Sequence, residues 1–297
     1  MNKTYSKHII LFLVLIFAID FFSGILFSKK FNDVKFGDYG VINKSLNFDA
    51  EILILGSSRA VHHYNSNIFS TNLKKACYNA GFGGQGLFLN YALLKESIER
   101  HPPKVVILDV APNILDDKES YSKLNLLLPY YKKYPSFKEI IQLNPKFSKL
   151  ELVSNLYIYN SILYDVTRNF LLKEKESNFG FEPLEGMLNQ NNFKPFHLEN
   201  DEIDSNKIIY LNKIIDLCKF NNIRLIGVVS PTYLKFDKKN RIINRLKFIF
   251  NENKMKFYDY SAYSKLYQKN EFFKDQLHLN KIGADIFSRD LVEKIKL

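Results

Sequence analysis

The sequence predicts an α/β fold with a mostly parallel sheet, preceded by a helix that spans a membrane. Three observations lead to this prediction. Short apolar runs alternate with helical stretches along much of the chain. Polar or glycine-rich loops follow these runs, as expected at the ends of buried parallel strands. A nearly continuous apolar stretch occupies residues 9–27.

The composition is that of a globular protein: 297 residues, 46% hydrophobic and 25% charged, which suffices for a sizeable core. The formal net charge of +11 fits a dispersed, solvated surface, or a surface beside anionic lipids and glycans. Zinc-ligand spacing, an RNP-like strand and a long basic helix are all absent from the sequence, so no nucleic-acid partner is expected. Cys77 and Cys218 lie in apolar runs and are interpreted as small buried hydrophobic residues. The sequence implies no metal and no organic cofactor.

The apolar stretch at residues 9–27 is long enough to cross the hydrocarbon core of a bilayer. Lys3 and Lys7 precede it, which favours a cytoplasmic N-terminus and a periplasmic or extracellular location for the rest, although Lys29 and Lys30 follow it. A cleaved signal peptide is the alternative, but the residues near the end of the stretch suit a cleavage site poorly. We therefore expect an uncleaved, single-pass anchor in the cytoplasmic membrane.

Asp20 interrupts the apolar stretch. A carboxyl group inside a bilayer is costly and requires a partner or access to water. Asp20 faces another membrane protein, lies near the outer interface, or is protonated. The sequence leaves these alternatives open.

Residues 1–30 are thus predicted to form the anchor, and residues 31–297 a single α/β domain. A less regular, Asn-rich region at about 114–205 is interpreted as a helical insertion in that domain. The predicted strands are residues 52–55, 76–79, 105–110, 224–229 and 256–260. One helix is predicted to begin at residue 58, and another to end at residue 98. Further helices are predicted in segments within 147–172 and at 207–220, 240–253 and 281–296.

Residues that follow the predicted strands are candidates for a functional site, because ligands bind at the carboxyl ends of parallel strands. Gly56 permits a tight turn after the first strand, and Ser58 then stands where a helix begins. Backbone N–H groups and the helix dipole suit a nucleophile whose intermediate carries an oxyanion. A helix-capping serine is the simpler alternative. Asp275 and His278 are three residues apart, so the carboxylate could orient the ring and leave one nitrogen for Ser58.

The second and third strands are followed by candidates for an oxyanion hole. The glycine-rich residues 81–86 offer backbone N–H groups, and Asn113 offers a side-chain amide. Turn glycines and a loop asparagine are the alternative interpretation. Several such motifs in one chain order, each after a strand, are much less expected by chance than any one alone.

Two residues near Ser58 admit two interpretations each. His62 lies four residues later, on the same helix face, and is a rival base, although no Asp nearby orients it. His62 and His63 together suggest a metal site, but further ligands are lacking nearby in sequence. Arg59 binds an anionic substrate or forms a structural salt bridge, and we favour the salt bridge.

This arrangement resembles the SGNH (GDSL-like) hydrolase superfamily of serine esterases and acyltransferases, over roughly residues 51–113 and 207–297. The resemblance implies a three-layer, flavodoxin-like fold with a parallel sheet. It implies Ser58 as the nucleophile, with Asp275 and His278 matching the last block of the family fully.

The same resemblance implies an oxyanion hole formed by Ser58, Gly84 and Asn113, in which Gly84 is preferred over Gly81. Two positions depart from the family pattern: Ser57 replaces the usual Asp, and Ile114 replaces the Asp after the asparagine.

With its membrane helix, the chain is similar to the branch that includes the teichoic-acid D-alanylation protein and the alginate-type O-acetylation proteins. This similarity implies a membrane-anchored esterase or O-acyltransferase that acts on acyl esters of cell-envelope polysaccharide through an acyl-serine intermediate. The implied partners are an acylated envelope glycan or glycolipid, membrane lipid and a multi-span membrane acyltransferase. The alternative is a non-catalytic binding or assembly subunit of an envelope-polymer modification complex, suggested by the altered blocks at Ser57 and Ile114.

Overall fold

Five parallel strands form one sheet in the described part of the chain. The computed structural model describes residues 3–35, 37–116, 119–147, 151–160, 162–171, 179–189, 203–233 and 239–296. The sheet order is β2-β1-β3-β4-β5, and every neighbouring pair is parallel. The strands are β1 (Ile52–Leu55), β2 (Cys77–Asn79), β3 (Val105–Asp109), β4 (Arg224–Val229) and β5 (Lys256–Asp259). The predicted α/β fold with a parallel sheet is therefore confirmed.

Helices connect and flank these strands. In the described ranges they are α1 (Lys3–Asn32), α2 (Gly37–Asn47), α3 (Ser58–His63), α4 (Ser66–Leu73), α5 (Leu87–Arg100), α6 (Glu119–Ser122), α7 (Pro135–Ile141), α8 (Asn155–Tyr159), α9 (Ile162–Leu171), α10 (Ser205–Phe220), α11 (Lys239–Glu252) and α12 (Lys281–Ile295). Within the same ranges, 3₁₀ helices cover Lys123–Tyr130 and Asn270–Phe272. The helical segments predicted within residues 147–172 correspond to α8 and α9.

The contacts divide the chain into two units. The anchor unit comprises Met1–Asn43 and Tyr121–Glu174, and the sheet unit comprises Lys44–Ser120 and Lys175–Leu297. The region predicted as an insertion, at about 114–205, contributes residues to both units. Its boundaries, and the single domain at 31–297, remain predictions.

In the sheet unit, helices cover both faces of the sheet. Strand residues such as Ile54 and Ile107 pack on one face with Phe287 and Leu291 of α12. On the other face α5 and α10 pack together, and α11 places Phe250 against Gly227 of β4, where a Cβ would lie 2.6 Å from that ring. All residues of β1 and β3 are buried, which explains their continuous apolar runs. The predicted three-layer arrangement is confirmed.

The two cysteines lie inside the sheet unit and are unpaired. Cys77 is in β2 and Cys218 in α10, and both are buried. Burial raises the pKa of the Cys218 thiol to about 12, and it raises the pKa of Cys77 further still. Both thiols are therefore protonated and unreactive at neutral pH, in agreement with their interpretation as small hydrophobic residues.

In the anchor unit, the helix predicted from the apolar stretch is confirmed as α1. Its residues Tyr5–Asn32 are long and apolar enough to cross a membrane. Near its C-terminal end Phe31 packs edge-on against the rings of Tyr39 and Tyr130, at centroid distances of 5.3 and 4.9 Å. The Asn43 amide donates to the carbonyl groups of Phe31 and Val34. These contacts connect the helix end to the polypeptide that follows it.

Candidate active site

Ser58 is positioned by a close turn between β1 and α3. Gly56 has a φ of +156°, and a Cβ there would lie 2.7 Å from the Cβ of Ala60 and 2.9 Å from that of Asp109. Glycine is thus required where the strand end approaches the helix. Ser57 occupies the N-cap position without a side-chain cap bond, so Ser58 is the first helical residue. Its backbone N–H belongs to the first turn, where N–H groups lack an intrahelical acceptor.

His278 lies in a tight loop between β5 and α12. An antiparallel bridge between Phe273 and Leu279 closes this loop. Inside it, Oδ1 of Asp275 accepts hydrogen bonds from the backbone N–H groups of Leu277 (2.8 Å) and His278 (2.9 Å). The three-residue spacing therefore lets the carboxylate organise the loop that carries the histidine.

The fold joins Ser58, His278 and Asp275 into one chain of hydrogen bonds. Ser58 Oγ lies 2.8 Å from His278 Nε2, although the two residues are 220 positions apart. His278 Nδ1 lies 2.9 Å from Oδ2 and 3.0 Å from Oδ1 of Asp275. Since a carboxylate accepts the Nδ1 proton, Nε2 is left to accept the proton of the Ser58 hydroxyl. This is the order of groups that activates a serine nucleophile.

The carboxylate of Asp275 is ionised at neutral pH. Burial by itself would raise the pKa of Asp275, but the hydrogen bond and charge of His278, with the N–H groups of Leu277 and His278, lower that pKa below its usual value. The Asp275 side chain is 52% exposed and that of His278 20% exposed. A negative charge is thus present beside Nδ1 of His278.

His62 forms part of the wall around His278 and does not contact Ser58 as a base. Its Nδ1–H donates to the Glu182 carbonyl at 2.7 Å, and its ring meets that of His278 edge-on at 5.5 Å. Burial, and then the positive charge of protonated His278, lower the pKa of His62. The hydroxyl of Ser58 is bonded to His278 instead, so the geometry favours His278 over the rival base.

The glycine-rich loop passes directly beside Ser58. A Cβ added at Gly83 would lie 4.0 Å from the Cβ of Ser58. Gly84 has a φ of +71° and occupies a turn closed by a hydrogen bond from Gln85 N to Phe82 O. Such a turn requires a residue that tolerates positive φ, which explains the glycine. The role of Gly84 as an oxyanion donor remains a prediction.

Gly81 and the preceding asparagine have a structural role. The Asn79 amide donates to the carbonyl groups of Ala60 (2.7 Å) and Tyr64 (2.9 Å), and its oxygen accepts the N–H of Gly81. These bonds attach the end of β2 to α3. Because the N–H of Gly81 is already bonded, the geometry favours the choice of Gly84 over Gly81.

Asn113 lies in a turn that follows β3. Hydrogen bonds from Ile114 N to Ala111 O and from Asp116 N to Asn113 O close this turn. Ile114 is 5% exposed, so the residue that departs from the family pattern fills an apolar position. Within the described part of the chain, the half-buried side chain of Asn113 makes no hydrogen bond. Its amide is available for a ligand, and its oxyanion role remains a prediction.

A buried polar cluster surrounds Arg59; the sequence predicted a salt bridge for this residue but not the other members of the cluster. Arg59 is 4% exposed and donates from Nε to Ser230 Oγ at 3.1 Å and from Nη2 to Ser230 Oγ at 2.8 Å and to Ser230 O. Its Nε lies 3.8 Å from Oδ2 of Asp109, whose Oδ1 accepts from the Tyr64 hydroxyl at 2.7 Å. These contacts support the structural interpretation of Arg59. Asp109 ends β3 and Ser230 follows β4, so the rule for strand ends could have found both.

His63 connects this cluster to the loop of His278. His63 Nδ1 lies 2.9 Å from Ser230 Oγ, and Nε2 accepts the backbone N–H of Leu279 at 3.0 Å. Burial, and then the positive charge of Arg59, lower the pKa of His63 well below its usual value. A neutral His63 therefore holds the residue next to His278 in place. Among the described residues, no group of three or more His, Cys, Asp or Glu side chains is placed to hold a metal ion.

The similarity of this chain to known proteins is low in both sequence and structure. No family model and no curated protein matches the sequence. A Bacteroides fragilis protein described as an acylhydrolase is similar in structure, with a TM-score of 0.40 and 15% identity over 83% of this chain and 88% of its own. A gut microbial enzyme that metabolises diltiazem has a TM-score of 0.39 and 12% identity over 82% of this chain and 46% of its own.

Proposed function

We propose that this protein is a membrane-anchored serine esterase or O-acyltransferase of the SGNH type. One observation carries the proposal: Ser58, His278 and Asp275 form a continuous chain of hydrogen bonds at the carboxyl edge of the sheet. Ligands of open α/β sheets bind at this edge. A serine, a histidine and a carboxylate in this order form an activated nucleophile.

The mechanism we propose begins with attack of Ser58 Oγ on the carbonyl carbon of an acyl ester. His278 Nε2 takes the hydroxyl proton as the new C–O bond forms, and the charge of Asp275 stabilises the resulting imidazolium. The N–H groups of Ser58 and Gly84 and the amide of Asn113 bind the oxyanion. The bond to the alcohol then breaks, and His278 returns the proton to the leaving oxygen.

The acyl-serine is resolved by the reverse sequence with a new acceptor. His278 removes a proton from water or from a sugar hydroxyl, whose oxygen attacks the acyl carbon. The bond from this carbon to Ser58 Oγ then breaks, and His278 returns the proton to Ser58 Oγ. Hydrolysis and transfer use the same groups and differ only in the acceptor.

We further propose that α1 anchors the enzyme in the cytoplasmic membrane, with Ser58 on the periplasmic or extracellular side. The apolar length of α1 and the preceding Lys3 and Lys7 support this orientation. The proposed substrate is an acylated envelope glycan or glycolipid, with a multi-span membrane acyltransferase as a partner. Support for this substrate and partner comes from the sequence resemblance, and the net charge of +11 suits an anionic polymer.

The test is labelling of the purified full-length protein in detergent with a fluorophosphonate, which reacts with activated serines. We expect labelling of the wild type and loss of labelling in Ser58→Ala and in His278→Ala. Ser57→Ala is the matched control, because Ser57 precedes the nucleophile and makes no side-chain cap bond; this variant should label normally.

Two results would contradict the proposal, provided that circular dichroism shows a folded protein. One is labelling that persists in Ser58→Ala. The other is a wild type that does not label, which would favour the non-catalytic binding or assembly subunit.

A further inference from the structure

The carboxylate of Asp20, in the middle of the apolar helix α1, is bonded to residues far along the chain. It accepts hydrogen bonds from Ser154 Oγ (2.7 Å), from the backbone and side-chain nitrogens of Asn155 (3.0 Å each) and from Leu156 N (3.0 Å). Two of these donors are N–H groups of the first turn of α8, which lack intrahelical acceptors. The carboxylate therefore accepts hydrogen bonds from backbone N–H groups that α8 itself leaves without an acceptor.

Further contacts place α8 alongside the second half of α1. Gly24 is buried, and a Cβ there would lie 2.5 Å from Cγ of Asn155, so glycine permits this close approach. The ring of Tyr159 packs against Phe27 and Phe31, at centroid distances of 6.4 and 6.2 Å. The segment of residues 153–159 thus follows α1 from Asp20 towards its C-terminal end.

The position of Asp20 determines the depth of this segment. Asp20 is seven residues from the end of the apolar stretch at Phe27, which is about 10 Å along a helix. If residues 9–27 fill a hydrocarbon core of about 30 Å, the start of α8 lies below the surface of that core.

The outward side chains of the segment suit such a depth. Val153 is 67% exposed and Leu156 42% exposed, while the polar groups of Ser154 and Asn155 turn inward to Asp20. The outer face of α1 at the same level is also apolar and exposed: Phe21, Phe22, Ile25 and Leu26. These exposed side chains make up the apolar surface of the anchor unit at this level. Lys132 Nζ donates to Val153 O and to Asn155 Oδ1 at 2.7 Å each, and a lysine side chain is long enough to keep its ammonium towards the lipid headgroups.

We propose that residues 153–159 enter the leaflet at the C-terminal end of α1, held beside it by Asp20, so that the protein contacts lipid through two segments. The occupant of the apolar surface is the lipid bilayer. This inference rests on the proposed anchoring by α1 and is independent of the serine chemistry. It also gives Asp20 a partner in its own chain, which none of the alternatives drawn from the sequence included.

The test measures the environment of a fluorophore at residue 153 in full-length protein reconstituted into phosphatidylcholine–phosphatidylglycerol vesicles. An environment-sensitive thiol label is attached to Val153→Cys, with Val14→Cys as the lipid reference and Glu252→Cys on α11 as the aqueous reference. The native thiols interfere little, because both are buried and protonated.

We expect the label at residue 153 to be quenched by spin-labelled lipid and shielded from iodide, as at residue 14. When Asp20→Ala is added to the labelled Val153→Cys protein, iodide should reach the label at residue 153, while the protein still floats with the vesicles. Asp20→Asn, which keeps one carbonyl oxygen as an acceptor, should lose less of the shielding.

Iodide access at residue 153 in protein that floats would overturn this inference and leave the anchoring intact. Protein that does not float would overturn both. A label that is exposed in vesicles and shielded in native membranes would show that another membrane protein, and not lipid, covers the surface.

Discussion

Two histidines of the sheet unit lie with their rings 6.2 Å apart, yet their surroundings suit opposite tasks. His278 is partly exposed and faces the ionised carboxylate of Asp275. His63 is fully buried and contacts the hydroxyl of Ser230, with the charge of Arg59 nearby. A carboxylate stabilises an imidazolium, whereas burial and a neighbouring cation oppose it. The surroundings, and not the residue type, decide which histidine can accept a proton from a serine.

The two aspartates that accompany these histidines differ in the same way. Asp275 is half exposed and bonded to a ring that must change its charge. Asp109 is fully buried; its Oδ1 accepts a hydrogen bond from the Tyr64 hydroxyl, and its Oδ2 lies 3.8 Å from Nε of Arg59. Removing the first should affect the chemistry more than the folding, and removing the second should do the reverse.

The largest expected effect is that of Asp275→Asn on the reactivity of Ser58. Without the carboxylate, nothing keeps the proton of His278 on Nδ1 or stabilises the imidazolium that forms. We therefore expect the rate of fluorophosphonate labelling to fall by about 10² to 10⁴. The rate constant is compared with that of Asp216→Asn, a matched change at an exposed position of α10. Equal rates in the two variants would remove Asp275 from the proposed mechanism.

A large effect on stability is expected for Asp109→Asn. The change leaves the buried guanidinium of Arg59 without its counter-charge, which costs about 3–5 kcal/mol of unfolding free energy. Urea unfolding of the full-length protein in detergent measures this loss. Glu51→Gln, in an exposed ion pair with Lys104, is the control and should have little effect.

The apolar double variant Arg59→Met/Asp109→Leu should be more stable than Asp109→Asn, because it leaves no unpaired buried charge. If Asp109→Asn unfolds at the same urea concentration as the wild type, the ion pair has no structural role.

A smaller effect is expected on the pH dependence of stability, and the variant His63→Gln measures the contribution of His63 to it. Its pKa is lowered in the fold, so below about pH 6.5 the unfolded chain binds a proton that the native protein does not. Stability is then fully present above this pH and falls as the pH decreases, by about 1.4 kcal/mol per unit for one proton. His63→Gln should be less stable at pH 7 but should lose less stability between pH 7 and pH 5.

Thermal unfolding at a series of pH values measures this difference. His101→Gln, a change at an exposed position, should keep the wild-type pH dependence. Identical pH dependence in His63→Gln and in the wild type would show that His63 is not held neutral by its burial.

Local patterns along the chain predicted the parts of the molecule that depend on neighbouring residues. Continuous apolar runs predicted β1, β3 and β4 to within about one residue, because strands covered on both faces must be apolar throughout. The short β2 and the partly exposed β5 were predicted from their place in the alternation of strands and helices. α1 was predicted from the apolar stretch at residues 9–27, and the loop that carries Asp275 and His278 from the three-residue spacing of this pair. The rule for strand ends indicated Ser58 as well, since Gly56 and the start of α3 are local features.

Contacts between residues that are distant along the chain could not be predicted from local patterns, because they form only in the folded molecule. The hydrogen bond between Ser58 and His278 spans 220 positions, and the bonds of Asp20 to residues 154–156 span 134 to 136. The rule for strand ends points to Ser230, but no local pattern shows that Ser230 meets Arg59 and His63. A polar side chain in a core or a membrane requires a partner, but the sequence shows only the requirement. The fold selects the partner, because burial and distance are properties of the packed chain.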